Sequence, residues 1–363
     1  MIPLVNLKSQ YRSIKPEIDH AIQKILDETS FIKGPYLKEF EENFAKVCDA
    51  KHCIGVSSGT NALDIVLRGL GIGEGDEVML PVNTFISTLE AVVMLGAKPV
   101  FVDCDKTSTM CIDDLQKKIT NKTRLILPVH LYGRSADMDA IKEIADAHGS
   151  KIVEDCAQSH LAEYKGKKTP VYGVGCFSFY PGNNLGAYGD AGGVVTNDDA
   201  LALKIRKLID HGRIDKYRHD VYGFNYRMDA LQAAVLNVKL KHVDEWTEKR
   251  RKLVELYTEL LQGVCDLPVS EGDRKHVYHL YVIQVDKREK LQKFLQEKGI
   301  ASGLHYPIPL HLQPACKHLG YRFGDFPEAE RQADRILSLP LCSELSEENV
   351  TMIAGNVKEF LGK

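Results

Sequence analysis

The stretch "RLILPVHLYGRSADMDAIKEIADAHGSKIVED", residues 124–155, holds two β-rich apolar segments with a helical pattern between them. "RLILPVHL" (124–131) and "KIVED" (151–155) have the length and composition of buried strands. The intervening "DMDAIKEIADAHG" carries apolar residues at helical spacing. A strand, a helix and a second strand in this order are typical of a parallel sheet, so the stretch predicts an α/β fold.

The same alternation continues towards the N-terminus. "HCIGVSS" (52–58), "EVMLP" (77–81) and "PVFVD" (99–103) are strand-like, and a helical pattern follows the first of them. Residues 14–27 form an amphipathic helical pattern before the first strand. The sequence therefore predicts a largely parallel sheet with helices on both faces.

Towards the C-terminus the alternation stops at a polar, aromatic loop, "YRHDVYGFNY" (217–226). One long helix is predicted from about Asp229 through Arg251, and the domain boundary is placed at this helix. The predicted large domain comprises residues 1–245 and includes the N-terminal helix. The predicted smaller α+β domain comprises residues 246–363, and its last helix is capped by Ser346.

The composition excludes several classes of protein. The chain has 363 residues, 44% hydrophobic and 27% charged, and a net charge of −3, so attraction to nucleic acid or an anionic membrane is not expected. No apolar run approaches the roughly 20 residues that span a bilayer, and the N-terminus lacks the pattern of a signal peptide. The nine cysteines show no zinc-binding spacing and are expected to be reduced. We predict a cytoplasmic protein without a metal site.

Three motifs follow predicted strands, which is where ligands bind in parallel α/β folds. The first, "SSGTNAL" (57–63), is a turn of small residues that opens a helix. The backbone N–H groups of Gly59 and Thr60 suit a phosphate, because glycine permits close approach and the helix dipole favours an anion. An ordinary strand–helix turn has the same composition, so this motif alone leaves both interpretations open.

The second motif, "VEDCAQSH" (153–160), ends a buried strand with two acids, Glu154 and Asp155. Successive side chains of a strand point to opposite faces, so only one of the two can face a site. That carboxylate would serve either as a helix N-cap or as the partner of a protonated heterocyclic nitrogen.

The third motif, "FSFYPGNNLGAYGDAGG" (177–193), is rich in glycine and aromatic residues. It offers the Ser178 hydroxyl, the Tyr180 phenol and two adjacent amides, Asn183 and Asn184. Taken alone, it is also consistent with a simple turn.

Together these motifs resemble those of the DegT/DnrJ/StrS sugar aminotransferases, fold type I enzymes that use pyridoxal phosphate (PLP) to aminate nucleotide-linked keto-sugars. The resemblance covers nearly the whole chain and includes, in the family's order, "FIKGPYLKEFEENFA", "EVMLPVNTFIST", "VHLYGRSADMDAI", "YGFNYRMDALQAA" and "HYPIPLHLQP". It implies a large domain with a mostly parallel mixed sheet flanked by helices and a smaller C-terminal α+β domain. It also implies PLP or its amine form, pyridoxamine phosphate (PMP), as cofactor.

The resemblance implies how the cofactor is held. The backbone of Gly59 and Thr60 and the Ser178 hydroxyl would contact its phosphate. Phe85 would stack on the pyridine ring, although core packing is an alternative role for this side chain. Asp155 would pair with the protonated ring nitrogen, which makes the ring an electron sink.

Two further residues complete the implied cofactor site. Gln158 would contact the 3-hydroxyl of the ring. Asn225 would reach the phosphate of the cofactor in the neighbouring subunit, which implies a homodimer with shared active sites.

One position departs from the family pattern. The family has Ser-Phe-Tyr-Pro-x-Lys-Asn-Leu-Gly, and "SFYPGNNLG" here places Asn183 where the lysine belongs. The lysine amine forms the Schiff base with PLP and then moves the proton between cofactor and substrate, whereas an amide does neither. We therefore expect this chain to be inactive and to trap PMP or a cofactor–sugar adduct.

Three explanations of Asn183 are open. The first is an engineered Lys→Asn substitution, which the otherwise intact motifs favour. The second is a natural variant similar to the sugar 3-dehydratases, in which histidine replaces the lysine, although an asparagine lacks the base that such an elimination needs. The third is a non-catalytic relative that binds PLP or a nucleotide-sugar.

For the lysine-bearing form, the resemblance implies a ping-pong transamination from L-glutamate to a nucleotide-linked keto-sugar. The amino sugar would enter a surface polysaccharide such as lipopolysaccharide O-antigen, or a glycoside. Residues 276–315 are more similar to the branch that aminates C-3 of the hexose than to the C-4 branch. The residues implied on the substrate side are Tyr180, His305, Tyr306 and His311.

The histidines of this proline-rich loop are equally consistent with a structural role. Candidate contacts for the substrate diphosphate are Lys33, Arg213 and Arg227. The sequence leaves open whether the nucleotide is UDP, dTDP or GDP.

Overall fold

A computed structural model of the chain describes residues 1–270 and 272–362. The strands are β1 (His52–Val56), β2 (Glu77–Pro81), β3 (Lys98–Val102), β4 (Thr123–Ile126), β5 (Lys151–Asp155), β6 (Glu163–Tyr164), β7 (Lys167–Lys168), β8 (Val174–Ser178), β9 (Gly192–Thr196), β10 (Arg274–Lys275), β11 (Tyr281–Gln284) and β12 (Ile336–Leu339). The helices are α1 (Leu7–Ser13), α2 (Lys15–Glu28), α3 (Pro35–Val47), α4 (Gly59–Leu70), α5 (Ile86–Val93), α6 (Ile112–Lys118), α7 (Met138–His148), α8 (Asp199–Leu208), α9 (Ala230–Leu240), α10 (Val243–Leu261), α11 (Arg288–Glu297), α12 (Pro327–Arg335) and α13 (Glu347–Leu361).

The central sheet has the strand order β1-β9-β8-β5-β4-β2-β3. The pairs β2–β3, β2–β4, β4–β5 and β5–β8 are parallel, whereas β9 is antiparallel to both of its neighbours. This is the mostly parallel mixed sheet that the sequence predicts. Because β1, β2, β4, β5 and β8 run in one direction, their carboxyl ends meet at the same edge.

The C-terminal part contains a second sheet, β11 paired with β12. Apolar side chains of α10, α11 and α13 cover it, which gives the smaller α+β unit that the sequence predicts. Residues between 305 and 330 instead join the core of the large sheet, where Leu310 and Phe326 pack in the same cluster as Val82 and Phe101. The predicted domain boundary after residue 245 falls in the first turn of α10 and stays a prediction.

The single long helix predicted from about Asp229 through Arg251 is wrong. α9 ends at Leu240 and α10 begins at Val243, although no glycine or proline lies between them. The cause is tertiary: α9 packs against α2 and α3, whereas α10 turns away and packs against α13. The other helices that matter here agree with the sequence, since α2 spans the predicted first helix and Ser346 caps α13.

Two of the bulk properties predicted from the sequence have a structural counterpart. All nine cysteines are free thiols. No helix within residues 1–270 and 272–362 is long and apolar enough to cross a bilayer.

The end of β5, near the middle of the sheet, is held by a buried carboxylate. Glu154 accepts hydrogen bonds of 2.7–2.9 Å from the backbone N–H groups of residues 171–173. Its Oε2 also lies 2.9 Å from Nε2 of His130, whose Nδ1 accepts the N–H of Ala136, so Nε2 carries the proton and donates it to Glu154. Burial alone would raise the pKa of this carboxyl, but these hydrogen bonds outweigh it and lower the pKa.

Cys156 lies beside this pair, and the potential ligand atoms of His130, Glu154 and Cys156 are within 4.8 Å of one another. The donors and acceptors of His130 and Glu154 are already used by each other and by the backbone. The cluster is therefore explained as a hydrogen-bonded core.

Glu154→Gln should destabilise the fold by about 2–4 kcal/mol. The NH₂ group of the glutamine side chain would face backbone N–H donors, and the negative charge that accepts their hydrogen bonds would be lost. Since the folded-state pKa lies below the reference value of 4.5, the stability from Glu154 is present above about pH 4.5 and is lost as the pH falls further. The variant should therefore lose less stability on acidification than the parent. Urea unfolding at pH 7 and at several lower pH values measures both effects.

The matched control is Glu143→Gln, an exposed acid on α7, which should change stability by no more than about 0.5 kcal/mol. Equal stability of Glu154→Gln and the parent at pH 7 would contradict the structural role of this carboxylate.

Candidate active site

A cavity of about 550 Å³ lies at the edge where the parallel strands end. The turns that follow β1, β2, β4, β5 and β8 form most of its wall, and the C-terminal part of the chain contributes His279, Leu280, His305 and Tyr306. It brings together residues that are far apart in the chain. The sequence-predicted residues that line it are Gly59, Thr60, Phe85, Asp155, Gln158, Ser178, Tyr180, Asn183, His305 and Tyr306.

The first turn of α4 leaves two N–H groups unpaired at this cavity. Ser58 caps the helix: its hydroxyl accepts the N–H of Asn61 at 3.1 Å, and its carbonyl accepts the N–H of Ala62 at 3.0 Å. Within the described part of the chain, no group accepts a hydrogen bond from the N–H of Gly59 or Thr60. Two free donors at a helix N-terminus form a site for a phosphate.

Close packing joins this turn to the end of β8. A Cβ on Gly59 would lie 2.6 Å from Cβ of Ser178, and a Cβ on Gly192 would lie 2.3 Å from the Ser58 carbonyl, so both positions need glycine. The Ser178 Oγ accepts the N–H of Tyr180 at 3.3 Å, which leaves its own O–H free to donate. These residues fit the phosphate of PLP or PMP.

Asp155 is the acid of the adjacent pair that faces the cavity, on the opposite side of β5 from Glu154. It is buried, and its carboxylate accepts the Thr88 hydroxyl at 2.9 Å and the Ala157 N–H at 3.1 Å. Burial raises the pKa of this carboxyl against these hydrogen bonds. A cation beside it would favour the charged form, as a protonated ring nitrogen would. The chain continues from Asp155 into a turn and not into a helix, so Asp155 is not a helix N-cap.

Phe85 is 52% exposed, so its alternative role in core packing does not apply. Its ring lies at the cavity, 5.5 Å from the ring of Tyr306 and tilted by 39°. Gln158 is oriented at the same wall, since its Oε1 accepts the N–H of Tyr132 at 2.7 Å and its Nε2 donates to the Tyr306 hydroxyl at 3.3 Å. An open aromatic face and a fixed amide fit a flat heterocycle with a hydroxyl substituent.

Asn183 lies at the cavity wall with its amide engaged. Its Nδ2 donates to the Ser178 carbonyl at 2.7 Å, and its backbone N–H donates to the Tyr180 carbonyl at 2.9 Å. No lysine of the described chain lines the cavity. Lys167 and Lys168 lie in the β6–β7 hairpin, outside the lining of this cavity.

The predicted substrate residues divide into two groups. Tyr180 is 61% exposed, and Tyr306, whose pKa burial raises to about 12, belongs to the same cavity lining. His305 lies with its Nδ1 2.9 Å from Ser338 Oγ, and burial lowers its pKa, which favours a neutral imidazole.

His311 is not brought to the cavity. It is buried, its Nε2 lies 2.9 Å from the Glu330 carboxylate, and its ring is 4.7 Å from that of Phe326. This position corrects the expectation that His311 lines the substrate side of its own chain and favours the structural alternative for this histidine.

The predicted diphosphate contacts converge on one carboxylate that the sequence did not single out. Lys33, Arg213 and Arg227 all bind Asp210, with Arg213 Nε at 2.8 Å from Oδ2. Asp210 is buried; desolvation would raise its pKa, but the three cations outweigh it and lower the pKa. Three cations around one anion leave excess positive charge.

Asn225 is exposed and pairs through its backbone with Asp210, outside the cavity of its own chain.

The sequence did not single out Thr88, which is buried beside Asp155, or His279, which lines the cavity. Thr88 donates to Asp155, and its spacing of four from Thr84, with 3.1 Å between the hydroxyls, was the available signal. His279 lines the cavity with a buried Nδ1 that has no partner in the described chain. Its place in an apolar strand-like segment gave no such signal.

A mostly parallel sheet whose edge carries free helix N-terminal N–H groups and a buried aspartate is typical of fold type I PLP-dependent enzymes. The chain belongs to the DegT/DnrJ/EryC1/StrS aminotransferase family, whose model matches residues 12–358.

Two curated relatives illustrate this membership. A "Pleiotropic regulatory protein" of Geobacillus stearothermophilus is 46% identical over 366 residues, which cover 99% of this chain and 98% of that protein. The dTDP-3-amino-3,4,6-trideoxy-alpha-D-glucose transaminase of Streptomyces venezuelae is 43% identical over 364 residues, with 99% and 96% covered.

Solved structures agree with the fold and with the predicted cofactor. DesV of S. venezuelae, solved with a ketimine intermediate, superposes with a TM-score of 0.98 at 42% identity over 100% of this chain and 99% of that one. NtdA of Bacillus subtilis, solved with bound PMP, gives 0.89 at 30% identity over 97% and 82%. The predicted cofactor, PLP or PMP, is thus confirmed at the level of the family.

Phe85→Ala should weaken binding of PMP about tenfold, or about 1.4 kcal/mol, because the ring loses its stacking partner. The unfolding midpoint should change little, since this side chain is already half exposed in the folded chain. Fluorescence titration with PMP and thermal unfolding separate the two quantities. Met94→Ala, a change at an exposed apolar residue that ends α5 away from the cavity, is the control. Unchanged PMP affinity in Phe85→Ala would remove Phe85 from the cofactor site.

Proposed function

We propose that this chain is a PLP/PMP-dependent aminotransferase of a nucleotide-linked keto-sugar in which Asn183 stands at the position of the reacting lysine. The observation that carries the proposal is the single cavity that joins two free helix N-terminal N–H groups, Asp155 and the loop of residue 183. A bound cofactor would supply an amine or aldehyde and a ring that delocalises negative charge.

The described residues would divide the work of binding. Gly59, Thr60 and Ser178 would hold the phosphate, while Asp155 would keep the ring nitrogen protonated. Gln158, already fixed by two hydrogen bonds, would orient the ring through its hydroxyl. None of these roles needs residue 183, so cofactor binding and catalysis are separable in this chain.

Asn183 would stop the reaction after binding. Its amide is neither nucleophilic nor basic, and its Nδ2 already donates to the Ser178 carbonyl. We therefore propose that the chain holds PMP, or a cofactor–sugar adduct, without a covalent link to the protein. An engineered Lys→Asn substitution accounts best for an otherwise complete site.

The proposed substrate is an NDP-linked 3-keto-sugar, and L-glutamate is the proposed donor. The name of the Streptomyces relative and the similarity of residues 276–315 support amination at C-3. Tyr180, His305 and Tyr306 would contact the sugar. In the proposed homodimer, Asn225 would reach the partner's cofactor, and the excess positive charge around Asp210 would attract the diphosphate.

A second candidate is a non-catalytic protein that binds PLP or a nucleotide-sugar and acts as a sensor in the cytoplasm. The engaged amide of Asn183 and the regulatory name of the Geobacillus relative favour it. A dehydratase-like activity is less well supported, because position 183 offers no base.

Asn183→Lys should restore covalent cofactor binding, because the lysine amine is both nucleophile and base. PLP added to this variant should give a visible absorbance that borohydride fixes, and peptide mass spectrometry should locate the link at residue 183. Amino transfer from L-glutamate to an NDP-keto-sugar should rise about 10³-fold or more.

Asn183→Met, which matches lysine in length but has no amine, is the control and should show neither effect. A lysine-bound cofactor without any amino transfer would favour the sensor. Failure to bind PLP in both variants and in the parent would overturn the proposed function.

A further inference from the structure

A lysine is buried beneath the loop of residue 183. Lys239, on α9, is 0% exposed, and no described carboxylate forms an ion pair with it. Removing an ammonium from water is unfavourable unless other groups replace its hydration. The contacts of the Lys239 ammonium therefore indicate its role.

Both contacts of its ammonium lie in one loop. The Nζ donates to the Gly186 carbonyl at 2.6 Å and lies 4.3 Å from the centre of the Tyr188 ring. Gly186 and Tyr188 follow Asn183 by three and five residues. A Cβ at Gly186 would lie 2.4 Å from the Pro181 carbonyl, so the loop folds tightly over itself where Lys239 holds it.

The loop has two other side-chain tethers, and both are neutral. Gln232 accepts the Tyr188 N–H at 2.9 Å, from a position seven residues before Lys239 and hence on the same face of α9. Asn184 donates to the Val277 carbonyl at 2.9 Å. Lys239 is the only charged tether among these three, and a charge-assisted hydrogen bond is the strongest kind.

We propose that Lys239 is a positioning residue whose ammonium anchors the loop that presents residue 183 to the cavity. The reacting role of residue 183 rests on the proposed function, whereas the anchoring role of Lys239 rests only on contacts within this chain. If Lys239 orders the loop and does not stabilise the fold, its replacement should speed hydrogen exchange in the loop without lowering the free energy of unfolding.

The pH dependence follows from burial. Desolvation lowers the pKa of Lys239 to about 8, against a smaller opposing effect of Glu344 in the segment after β12. Tyr188 faces it from the loop, and Tyr11 and Asp19 reach the Tyr188 side from α1 and α2. The unfolded chain, with a lysine pKa near 10.5, binds more protons between pH 8 and 10. Deprotonation of Lys239 therefore makes the fold more stable as the pH rises through this range. Over the same range the loop loses its charged anchor.

The test is hydrogen exchange of residues 180–190 in the full chain without added ligand, corrected for intrinsic exchange rates, at pH 7 and pH 9.5. At pH 7 the parent loop should exchange about tenfold more slowly than that of Lys239→Met, in line with one charge-assisted hydrogen bond. At pH 9.5 the parent should approach the variant. The urea midpoint of Lys239→Met at pH 7 should equal or exceed that of the parent, because no buried charge remains.

Two further variants sharpen the result. Lys239→Gln keeps a donor for the Gly186 carbonyl without a charge, so it should retain part of the protection and lose its pH dependence. Lys241→Met, an exposed lysine just past the end of α9, should match the parent in both measurements.

Equal loop protection in Lys239→Met and the parent at pH 7 would overturn the anchor. A lower urea midpoint with uniform loss of protection throughout α9 would show a structural residue instead. Neither outcome depends on PLP or PMP, so a failure of the proposed function leaves this result intact.

Discussion

The hydrogen-bonded carboxylate of Glu154 sets the geometry on which the site depends. It receives three backbone N–H groups that lead into β8 and the imidazole of His130 that follows β4, and so joins three adjacent strands through one buried anion. Asp155 is the next residue and points to the opposite face. Because the hydrogen bonds of Glu154 fix this part of β5, they also fix the direction of the Asp155 carboxylate in the cavity.

The cavity is built from groups that folding alone would leave unfavourable. The N–H groups of Gly59 and Thr60 have no acceptor in the described chain, and Asp155 is a buried acid without a cation. Beneath the loop of residue 183, Lys239 is a buried cation with which no carboxylate of the described residues forms an ion pair. Groups left unsatisfied in this way cluster at functional sites, where a ligand or a required geometry compensates for them.

The cavity wall that contains His305 and Tyr306 depends on contacts between the C-terminal segments and the large sheet. Asp103, just past β3, accepts the N–H groups of Glu328 and Ala329 and thus caps α12 across this contact. Ser108 donates to Gln332 of the same helix at 2.6 Å. With Phe326 packed against Phe101, these contacts hold residues 305–330 against the sheet and keep His305 and Tyr306 at the cavity.

The sequence alone determined the mostly parallel sheet, the small-residue turn that opens α4 and the opposed acids Glu154 and Asp155, because side-chain alternation along a strand and the capping of a helix are local properties. It also places an asparagine at residue 183, in the loop that the structure brings to the cavity. Only the tertiary structure decided that α9 and α10 separate, that His311 pairs with Glu330 away from the cavity, and that Lys239 lies under the loop. Each of these depends on which distant segments pack together, and a single sequence carries no local signal of such contacts.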